Sequence, residues 1–448
     1  MKFQEHNNQY LFRTSFGDLF GLRENDIIKI KNIRYAISER FQKPQALTYY
    51  SNELGIFAKT PACPQNISSL LEKMIGNTNL DDFEVEEATQ FLSIFCPPNI
   101  LTENKKQVIV WIHGGSYELG CGDVSTADPT TWVKEQDVII VTVCYRLGIF
   151  GFLGGSESRP ANLGLLDIIE ALKWVKSNIA NFGGDENNIS IFGQSSGADA
   201  IAHIMIADGV EGLFRNVILQ SAPLGLRDDR LKMNQDFLKK TEHFTSKTDM
   251  LEIVESYKKW APSFFKYGLK SAMPFGIQYG YFPLCEEKNV LESWKSVAQK
   301  YNILIGVNDE ETSFYLRNSE KPNRYIPKKI VDKAIRLTTE IIYGKPAQDF
   351  ATHYANAGGN VFLFRIYSKI NHDFAAAHAF DLPLLFGNEN AWKLSVMVKN
   401  IPWNYIHENG MQLRKIWSEF AKTGSISSET KLPEILSLSK IKKSKNLF

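Results

Sequence analysis

The feature of this 448-residue chain that most constrains its fold is a series of short apolar runs that alternate with longer amphipathic stretches. The runs are rich in β-branched residues and lie at 108–112, 138–143, 189–192, 217–219, 303–305 and 361–366. Near-continuous apolar runs of this kind are typical of strands buried on both faces of a parallel sheet. Between them, apolar residues recur at helical spacing, as in residues 165–179. The alternation predicts an α/β protein with a doubly wound sheet, in which ligands bind beyond the carboxyl ends of the strands.

Composition and charge exclude several classes of function. Lys and Arg number 51 against 50 Asp and Glu, so the formal net charge is +1 and no basic excess indicates nucleic-acid binding. The longest apolar run, residues 138–144, is far shorter than the ~20 residues that span a bilayer. We therefore expect no nucleic-acid partner and no membrane partner. With 44% hydrophobic and 23% charged residues, the chain has an ordinary globular composition.

The N-terminal residues and the cysteines bear on compartment and cofactors. The first residues, Met-Lys-Phe-Gln-Glu-His, contain no apolar segment of the kind that a secretory signal requires. The five cysteines are odd in number, widely spread and free of any Cys-x-x-Cys pair, which is not the pattern of a disulfide framework or a zinc site. No HExxH motif occurs either. We therefore expect a cytoplasmic, reduced protein without a metal or organic cofactor.

A GxSxG motif follows the apolar run 189–192. Residues 193–197 read Gly-Gln-Ser-Ser-Gly, and the residues after them are compatible with a helix. Between a strand and a helix, this motif forms a sharp turn that holds the serine hydroxyl above the sheet. The amide groups at the start of the helix then favour negative charge that develops at the site. Ser195 is therefore the candidate nucleophile.

A serine nucleophile needs a base, and in chains with this turn the histidine comes after both the serine and the acid. Four histidines come late enough in the sequence: His353, His372, His378 and His407. His378 ranks first because it lies in a segment after the run 361–366, but this reasoning does not exclude His372.

The base in turn needs an acid that orients it. Three acidic residues follow the run 303–305, at the predicted carboxyl end of a strand: Asp309, Glu310 and Glu311. Spacing alone does not choose among them.

A glycine-rich segment follows the run 108–112. Residues 113–117 read His-Gly-Gly-Ser-Tyr. Adjacent glycines let the backbone approach a ligand closely, and backbone amides in such a loop can stabilise an oxyanion. The segment has the position of the HGGG-type loop that accompanies GxSxG serines.

Together, these motifs resemble those of the type-B carboxylesterase/cholinesterase family of α/β-hydrolases. The resemblance covers essentially the whole chain, with motifs at 33–44, 110–115, 141–153, 162–175, 178–185, 193–197, 217–221, 306–314, 378–387 and 417–424. It implies an α/β-hydrolase fold, with a large, mostly parallel central sheet flanked by helices on both faces. It also implies that residues 1–448 form a single domain.

Position by position, the resemblance implies that Ser195 is the nucleophile, His378 the base and Glu311 the acid. The backbone amides that it implies for the oxyanion hole are those of Gly115, Ser116 and Ser196. Water is the only other reactant that such a mechanism needs.

The resemblance also implies one structural pair and shows three departures. Arg146 and Asp167 correspond to a buried ion pair of the family. The residue before the nucleophile, commonly Glu in the family, is Gln194. Ser116 stands where a third glycine is usual, so a positive φ there would cost about 1 kcal/mol or more. Cys63 lacks its usual disulfide partner, which agrees with a reduced protein.

The function that the sequence predicts is that of a serine carboxylesterase, which hydrolyses small carboxylic esters through an acyl-enzyme with a Ser-His-Glu triad. No tryptophan lies between Pro64 and Thr89, where cholinesterases place a cation-stacking one, so choline esters are not the expected substrates. Two alternatives stay open. One is a non-catalytic, cholinesterase-like adhesion or binding module, and the other is an amidase or transesterase that uses the same triad.

Overall fold

The computed structural model describes residues 2–6, 8–49, 60–66, 69–100, 104–317, 327–370 and 374–444. Its strands are β1 (Lys2–His6), β2 (Gln9–Arg13), β3 (Asp18–Glu24), β4 (Ile27–Arg34), β5 (Ala36–Ile37), β6 (Gln45–Ala46), β7 (Pro61–Ala62), β8 (Glu84–Val85), β9 (Phe91–Cys96), β10 (Lys106–Ile112), β11 (Ile139–Val143), β12 (Gly184–Gln194), β13 (Asn216–Gln220), β14 (Asn302–Asn308), β15 (Asn360–Ile366) and β16 (Leu436–Lys440). One large sheet has the order β1-β2-β3-β4-β9-β11-β10-β12-β13-β14-β15-β16, and β5–β6 and β7–β8 form two small ribbons.

The middle of the large sheet is parallel. Neighbouring strands β11-β10-β12-β13-β14-β15 all run in the same direction, and they contain the six apolar runs of the sequence. Val110 lies opposite Val141 on one side and opposite Ile191 on the other, and all three side chains are buried. Because helices cover both faces of these strands, neither face carries the polar residues of a half-exposed strand. The predicted α/β fold is therefore confirmed.

The edges of the sheet differ from its centre. Strands β1 to β4 and β9 pair antiparallel at one edge, and β16 pairs antiparallel with β15 at the other. The apolar runs of the sequence predict only the parallel strands, whereas the family resemblance implies a mostly parallel sheet, which agrees with this arrangement. In β2 and β3 buried and more exposed residues alternate instead. This is the pattern of strands that are covered on one face only.

Helices lie on both faces of the sheet. They are α1 (Ser69–Ile75), α2 (Thr130–Gln136), α3 (Gly148–Gly151), α4 (Leu163–Asn178), α5 (Ser196–Ile204), α6 (Leu231–Thr241), α7 (Met250–Trp260), α8 (Val290–Ser296), α9 (Ser313–Leu316), α10 (Lys328–Thr339), α11 (Lys345–Asn356), α12 (Asp381–Phe386), α13 (Glu389–Trp392) and α14 (Trp403–Thr423). The predicted helix at 165–179 is α4. None of the helices within the described ranges has the length and apolar composition that crossing a membrane requires.

Each face of the sheet has its own apolar core. Val110 of β10 belongs to the core that includes Leu172 of α4, whereas its neighbour Trp111 belongs to the core that includes Trp417 of α14. Successive residues of a strand point to opposite faces, so one apolar run supplies both cores. The two helical layers leave the carboxyl ends of the parallel strands as the edge on which side chains from several loops meet.

A buried ion pair joins the segment after β11 to α4. The Arg146 guanidinium donates to both carboxylate oxygens of Asp167, with Nε–Oδ2 and Nη2–Oδ1 distances of 2.8 Å each. The side chains are only 2% and 0% exposed. Gln90 also donates to Asp167, and Arg146 donates to the carbonyl oxygen of Gln42. The pair that the resemblance implies is thus present.

We expect Asp167→Asn to lower the free energy of unfolding by about 3–5 kcal/mol, because Arg146 is left buried without its counter-charge. Glu170→Gln on the same helix is the matched control. It removes a carboxylate from the more exposed pair with Lys173 and should cost less than ~1 kcal/mol. Urea denaturation followed by tryptophan fluorescence measures both values. Equal losses in the two variants would contradict a structural role for the buried pair.

Candidate active site

Ser195 lies at the turn between two elements. Strand β12 ends at Gln194 and helix α5 begins at Ser196, so the serine is the junction residue. Its backbone has φ 56° and ψ −131°, a conformation that L-residues rarely adopt and that costs of order 1–3 kcal/mol. The Ser195 amide donates to the carbonyl oxygen of Gln220 at 2.9 Å, and the Ser195 carbonyl accepts from the Asp199 amide at 3.0 Å. These two bonds hold the strained turn in place.

The two glycines of the GxSxG motif are required by close packing. A Cβ atom on Gly197 would lie 2.2 Å from the carbonyl oxygen of Ile112, and one on Gly193 would lie 2.7 Å from the carbonyl carbon of Gly197. Both distances are far below normal contact. The motif therefore lets helix α5 start directly against the neighbouring strand β10.

Ser195, His378 and Glu311 form a continuous hydrogen-bonded chain. The Ser195 Oγ and His378 Nε2 atoms are 2.8 Å apart, and the His378 Nδ1 and Glu311 Oε2 atoms are 2.6 Å apart. The other carboxylate oxygen, Oε1, accepts from the Asn308 amide at 2.6 Å. All three side chains are buried, with Ser195 and His378 7% and 5% exposed. The three elements that carry them meet at the carboxyl ends of β12, β14 and β15.

The structure separates the three acids that follow β14. Glu311 contacts His378, and it also accepts from the His378 amide through its own carbonyl oxygen. Asp309 instead pairs with Arg365 at 3.2 Å, and Glu310 pairs with Arg317 at 3.1 Å. The neighbours of Glu311 are therefore held by cations away from the histidine.

The structure also separates the late histidines. His378 lies in the segment between β15 and α12, whereas His353 is in α11 and His407 is in α14. Within the described residues, neither of these two forms a hydrogen bond with the hydroxyl of Ser195. His372 lies outside the described residues.

The glycine-rich loop after β10 lies against the serine turn. A Cβ atom on Gly114 would lie 2.7 Å from the Gln194 carbonyl oxygen, so the two backbones are in direct contact. The loop also donates from the Tyr117 amide to Ser196 Oγ at 3.1 Å. Ser116 has φ 57°, so the position does require the left-handed conformation that a glycine would adopt more easily.

Three backbone amides of this region are free to donate, namely those of Gly115, Ser116 and Ser196. Among the hydrogen bonds that the described residues form, none uses these three N–H groups as a donor. Gly115, Ser116 and Ser195 all line the same cavity. Unpaired amides beside a nucleophile suit an anion that forms during the reaction.

A buried hydrogen bond that the sequence analysis does not single out ties this loop to α5. The Tyr117 hydroxyl donates to Asp199 Oδ2 at 2.5 Å, and burial together with the Asp199 charge raises the pKa of Tyr117 well above its usual value. A sequence signal for it exists, because Asp199 is an acidic residue in the otherwise apolar stretch 198–202. Tyr117 follows Ser116 directly, so its ring acts as an anchor for the loop.

We expect Tyr117→Phe to lower kcat for hydrolysis of a p-nitrophenyl ester about ten- to hundredfold. The physical reason is that a small misplacement of the loop amides would weaken the hydrogen bonds that the sequence analysis predicts they donate to an oxyanion. Tyr35→Phe is the control: it also removes a buried tyrosine hydroxyl, which donates to the Cys144 carbonyl oxygen at 2.8 Å, but it lies outside the glycine-rich loop. Steady-state kinetics on one p-nitrophenyl ester would compare the variants. A similar fall in kcat for both would show that Tyr117 acts only on stability.

Two further groups affect the electrostatics around the histidine. Asp381 lies close to Glu311 and His378, where it accepts from Asn308 and Gln220. Burial and then the charge of Glu311 raise the pKa of Asp381 to about 6. The folded state therefore binds this proton more tightly than the unfolded chain does, and its contribution to stability falls as pH rises from about 4 to 6. Gln194 Nε2 lies 3.3 Å from His378 Nε2, so an uncharged amide faces the imidazole.

Ser195 opens onto two cavities. The larger has a volume of about 390 Å³ and a mostly apolar lining that includes Leu71, Leu80 and Trp392. The smaller has a volume of about 130 Å³ and includes Leu226 and Ile342. Both are lined by Ser195 and Ser116. Across the described part of the chain, no three His, Cys, Asp or Glu side chains cluster as metal ligands would.

Comparison with known proteins identifies a family and several relatives to which this chain is similar. Residues 9–325 match the model of a family described as the carboxylesterase family. Among curated proteins, a "Probable N-octanoylanthranilate hydrolase AqdA2" of Rhodococcus erythropolis is 30% identical over 415 residues, which cover 90% of each chain. A para-nitrobenzyl esterase of Bacillus subtilis (strain 168) is 30% identical over 461 residues, which cover 93% of this chain and 90% of the relative.

Solved structures support the same fold. One structure, described as "PNB esterase", superposes with a TM-score of 0.76 and covers 96% of this chain and 97% of its own. Its sequence identity of 23% makes it evidence for the fold alone. The similarity extends beyond the serine turn to nearly the entire length of both chains.

Proposed function

Because the chain belongs to the carboxylesterase family and is a carboxylic ester hydrolase, we propose that it cleaves small carboxylic esters through an acyl-enzyme formed on Ser195. In this proposal His378 is the general base and Glu311 the acid that orients it. The observation that carries the proposal is the continuous chain of hydrogen bonds from Ser195 Oγ through His378 to Glu311, with distances of 2.8 and 2.6 Å. A serine hydroxyl is a useful nucleophile only next to such a base.

The first half of the reaction forms the acyl-enzyme. His378 Nε2 accepts the proton of the Ser195 hydroxyl as Oγ attacks the ester carbonyl carbon. The carbonyl oxygen becomes an oxyanion and accepts hydrogen bonds from the amides of Gly115, Ser116 and Ser196. The imidazolium is stabilised by Glu311, which also keeps the proton on Nδ1. His378 then donates the proton from Nε2 to the leaving alcohol, and the C–O bond breaks.

The second half returns the free enzyme. A water molecule donates its proton to His378 Nε2 and attacks the acyl carbon, and the same three amides stabilise the second oxyanion. The Ser195 oxygen leaves and takes the proton back, which releases the carboxylic acid. Every group in the cycle is a side chain or backbone amide of this chain, apart from water and the ester.

Hydrolysis of p-nitrophenyl esters of increasing acyl length tests the proposal. We expect turnover of several of these esters and stoichiometric labelling by an organophosphate, with the label located on the peptide that contains Ser195. A protein that is folded by circular dichroism but neither turns over any ester nor takes the label would contradict the proposal. A label on another residue would contradict the assignment of Ser195.

An amide is a second candidate substrate on the same triad. The observation in its favour is that one relative is described as a probable hydrolase of N-octanoylanthranilate. Octanoyl p-nitroanilide and p-nitrophenyl octanoate share the acyl group and differ only in the bond that is cleaved. A higher kcat/KM for the anilide would favour the amidase, whereas we expect the ester to be preferred.

Two further proposals concern the domain organisation of the chain and its compartment. We propose that residues 1–448 form one domain, since the large sheet includes strands from both ends of the chain, from β1 at one edge to β16 at the other. We also propose the cytoplasm as its compartment. In support, all five cysteines are free thiols, even though Cys121 Sγ and Cys144 Sγ are only 3.2 Å apart.

A further inference from the structure

Glu118 is the only Asp, Glu, Lys or Arg residue that lines the larger cavity within the described part of the chain. It follows the oxyanion loop, and its amide donates to the Gly115 carbonyl oxygen at 3.0 Å. The rest of the lining is mostly apolar, apart from the proposed catalytic groups, His113, Gln194 and a few hydroxyl side chains. A carboxyl group thus lies on the same short loop as two of the oxyanion amides.

The carboxyl group of Glu118 has a hydrogen-bond donor but no counter-ion in the described part of the chain. Its Oε2 atom accepts from the Tyr257 hydroxyl of α7 at 3.2 Å. Among the ion pairs of the described residues, none includes Glu118. An acid in an apolar setting without a cation is costly when ionised, because burial disfavours the charged form. Accordingly, burial raises the pKa of Glu118 to about 7, although the bond from Tyr257 opposes this effect.

We infer that Glu118 is a specificity determinant that receives a cationic, N–H-donating group of the substrate, so that the preferred substrates are esters with a primary or secondary ammonium group. This inference rests on the proposed ester hydrolysis at Ser195. The ammonium supplies the counter-charge that the protein does not, and its N–H groups donate to the carboxylate oxygens. The bond from Tyr257 orients the carboxylate and keeps one of its oxygens partly satisfied.

The same geometry disfavours anionic substrates. A carboxylate in this cavity would lie near another carboxyl group in an apolar environment, where like charges repel more strongly than in water. Neutral alkyl groups fit the apolar lining but leave the charge of Glu118 unpaired. The expected order of preference is therefore ammonium, then methyl, then carboxylate, at the same chain length.

Three p-nitrophenyl esters with identical spacing test this order. The esters of 6-aminohexanoic acid, heptanoic acid and pimelic acid (as the monoester) have the same five methylene groups and end in ammonium, methyl and carboxylate. At pH 8 we expect the kcat/KM ratio of the ammonium to the methyl ester to fall about ten- to hundredfold in Glu118→Gln, as for the loss of a hydrogen bond to a charged group. The ratio of carboxylate to methyl ester should rise.

The pH dependence of the ammonium-to-methyl ratio of kcat/KM provides a second readout. The other titratable side chains of the cavity lining are His113, Cys121, Tyr315 and His378. Burial lowers the pKa of His113 to about 4 and raises that of Tyr315 to about 12, so neither changes charge between pH 6 and 8. His378 acts on both esters and cancels in the ratio. In the wild type the ratio should rise between pH 6 and 8, and in Glu118→Gln it should stay flat.

Tyr257→Phe keeps the carboxyl group and removes its donor, so it covers the case in which Glu118→Gln does not fold. The carboxylate loses a bond that stabilises it, so the rise of the ratio should move to higher pH. Ratios that are the same in the wild type and the variants, or a methyl ester preferred over the ammonium ester at pH 8, would overturn the inference. Hydrolysis of the heptanoate ester by the wild type separates this outcome from failure of the proposed function.

Discussion

Replacement of Ser195 by alanine is expected to lower kcat for ester hydrolysis by about 10⁶-fold, the loss typical of removing the nucleophile of a serine triad. Alanine keeps the backbone of the turn but cannot form the acyl-enzyme. The elbow conformation, with φ 56°, strains both residues in a similar way. The loss should therefore appear in kcat, with little change in the free energy of unfolding. Residual activity would come from the oxyanion amides and from binding alone.

Ser196→Ala is the control for this variant, because the two serines are adjacent and the motif contains both. Ser196 contributes its amide to the oxyanion hole in our proposal, and alanine keeps that amide. Only the bond from the Tyr117 amide to Ser196 Oγ is lost, so we expect a fall in kcat of less than about tenfold. A Ser195→Ala variant that keeps wild-type turnover of esters and takes the organophosphate label would contradict the assignment of Ser195 as the nucleophile.

Replacement of Glu311 by glutamine is expected to lower kcat by about 10⁴-fold, and the contacts of the carboxylate explain why. The Asn308 amide donates to Oε1 at 2.6 Å, so the amide oxygen of glutamine must occupy that place. The amide nitrogen then faces His378 Nδ1 and donates to it. The imidazole proton moves to Nε2, where it points at Ser195. His378 can then no longer accept the serine proton.

Glu310→Gln is the matched control, one residue away in the same turn. Glu310 pairs with Arg317 near the surface, with its side chain about one quarter exposed, and does not contact the histidine. We expect its kcat to change by less than about threefold, as for the loss of a partly exposed ion pair. A larger loss in Glu310→Gln than in Glu311→Gln would overturn the assignment of the acid. The pH–rate profile of each variant adds a check, since in our proposal Glu311, and not Glu310, stabilises the imidazolium.

Much of the active-site turn could be predicted from the sequence because its determinants are local. The apolar run of β12 and the pattern Gly-x-Ser-x-Gly lie within a few residues of each other, and together they indicate a strand, a tight turn and a helix. The glycines are needed because a Cβ atom on Gly197 would clash with Ile112 and one on Gly193 would clash with Gly197, which is a steric condition on two positions. A steric condition of this kind restricts a position to glycine, so it can be recognised in the sequence.

The Glu118–Tyr257 contact could not be predicted in this way. The two residues are 139 positions apart, and Tyr257 comes from the stretch 225–300, where the resemblance to the family is weakest. Neither residue stands out from its local sequence, because a glutamate in a loop and a tyrosine in an amphipathic helix are both common. Their contact depends on how α7 packs over the loop after β10.

The sequence by itself determined the parallel strands, the serine turn and the glycine-rich loop, because each depends on periodicity or sterics among near neighbours. From residue patterns alone, three acids and two histidines stayed open, and the resemblance indicated Glu311 and His378. Only the tertiary structure decided which acid faces the histidine. Glu311 contacts His378, which is 67 positions away, whereas Asp309 pairs with Arg365 of β15 and Glu310 pairs with the nearby Arg317. It also decided that Glu118 faces the cavity without a counter-ion among the residues that the structure describes. Contacts of this kind depend on the packing of remote segments, which no local pattern records.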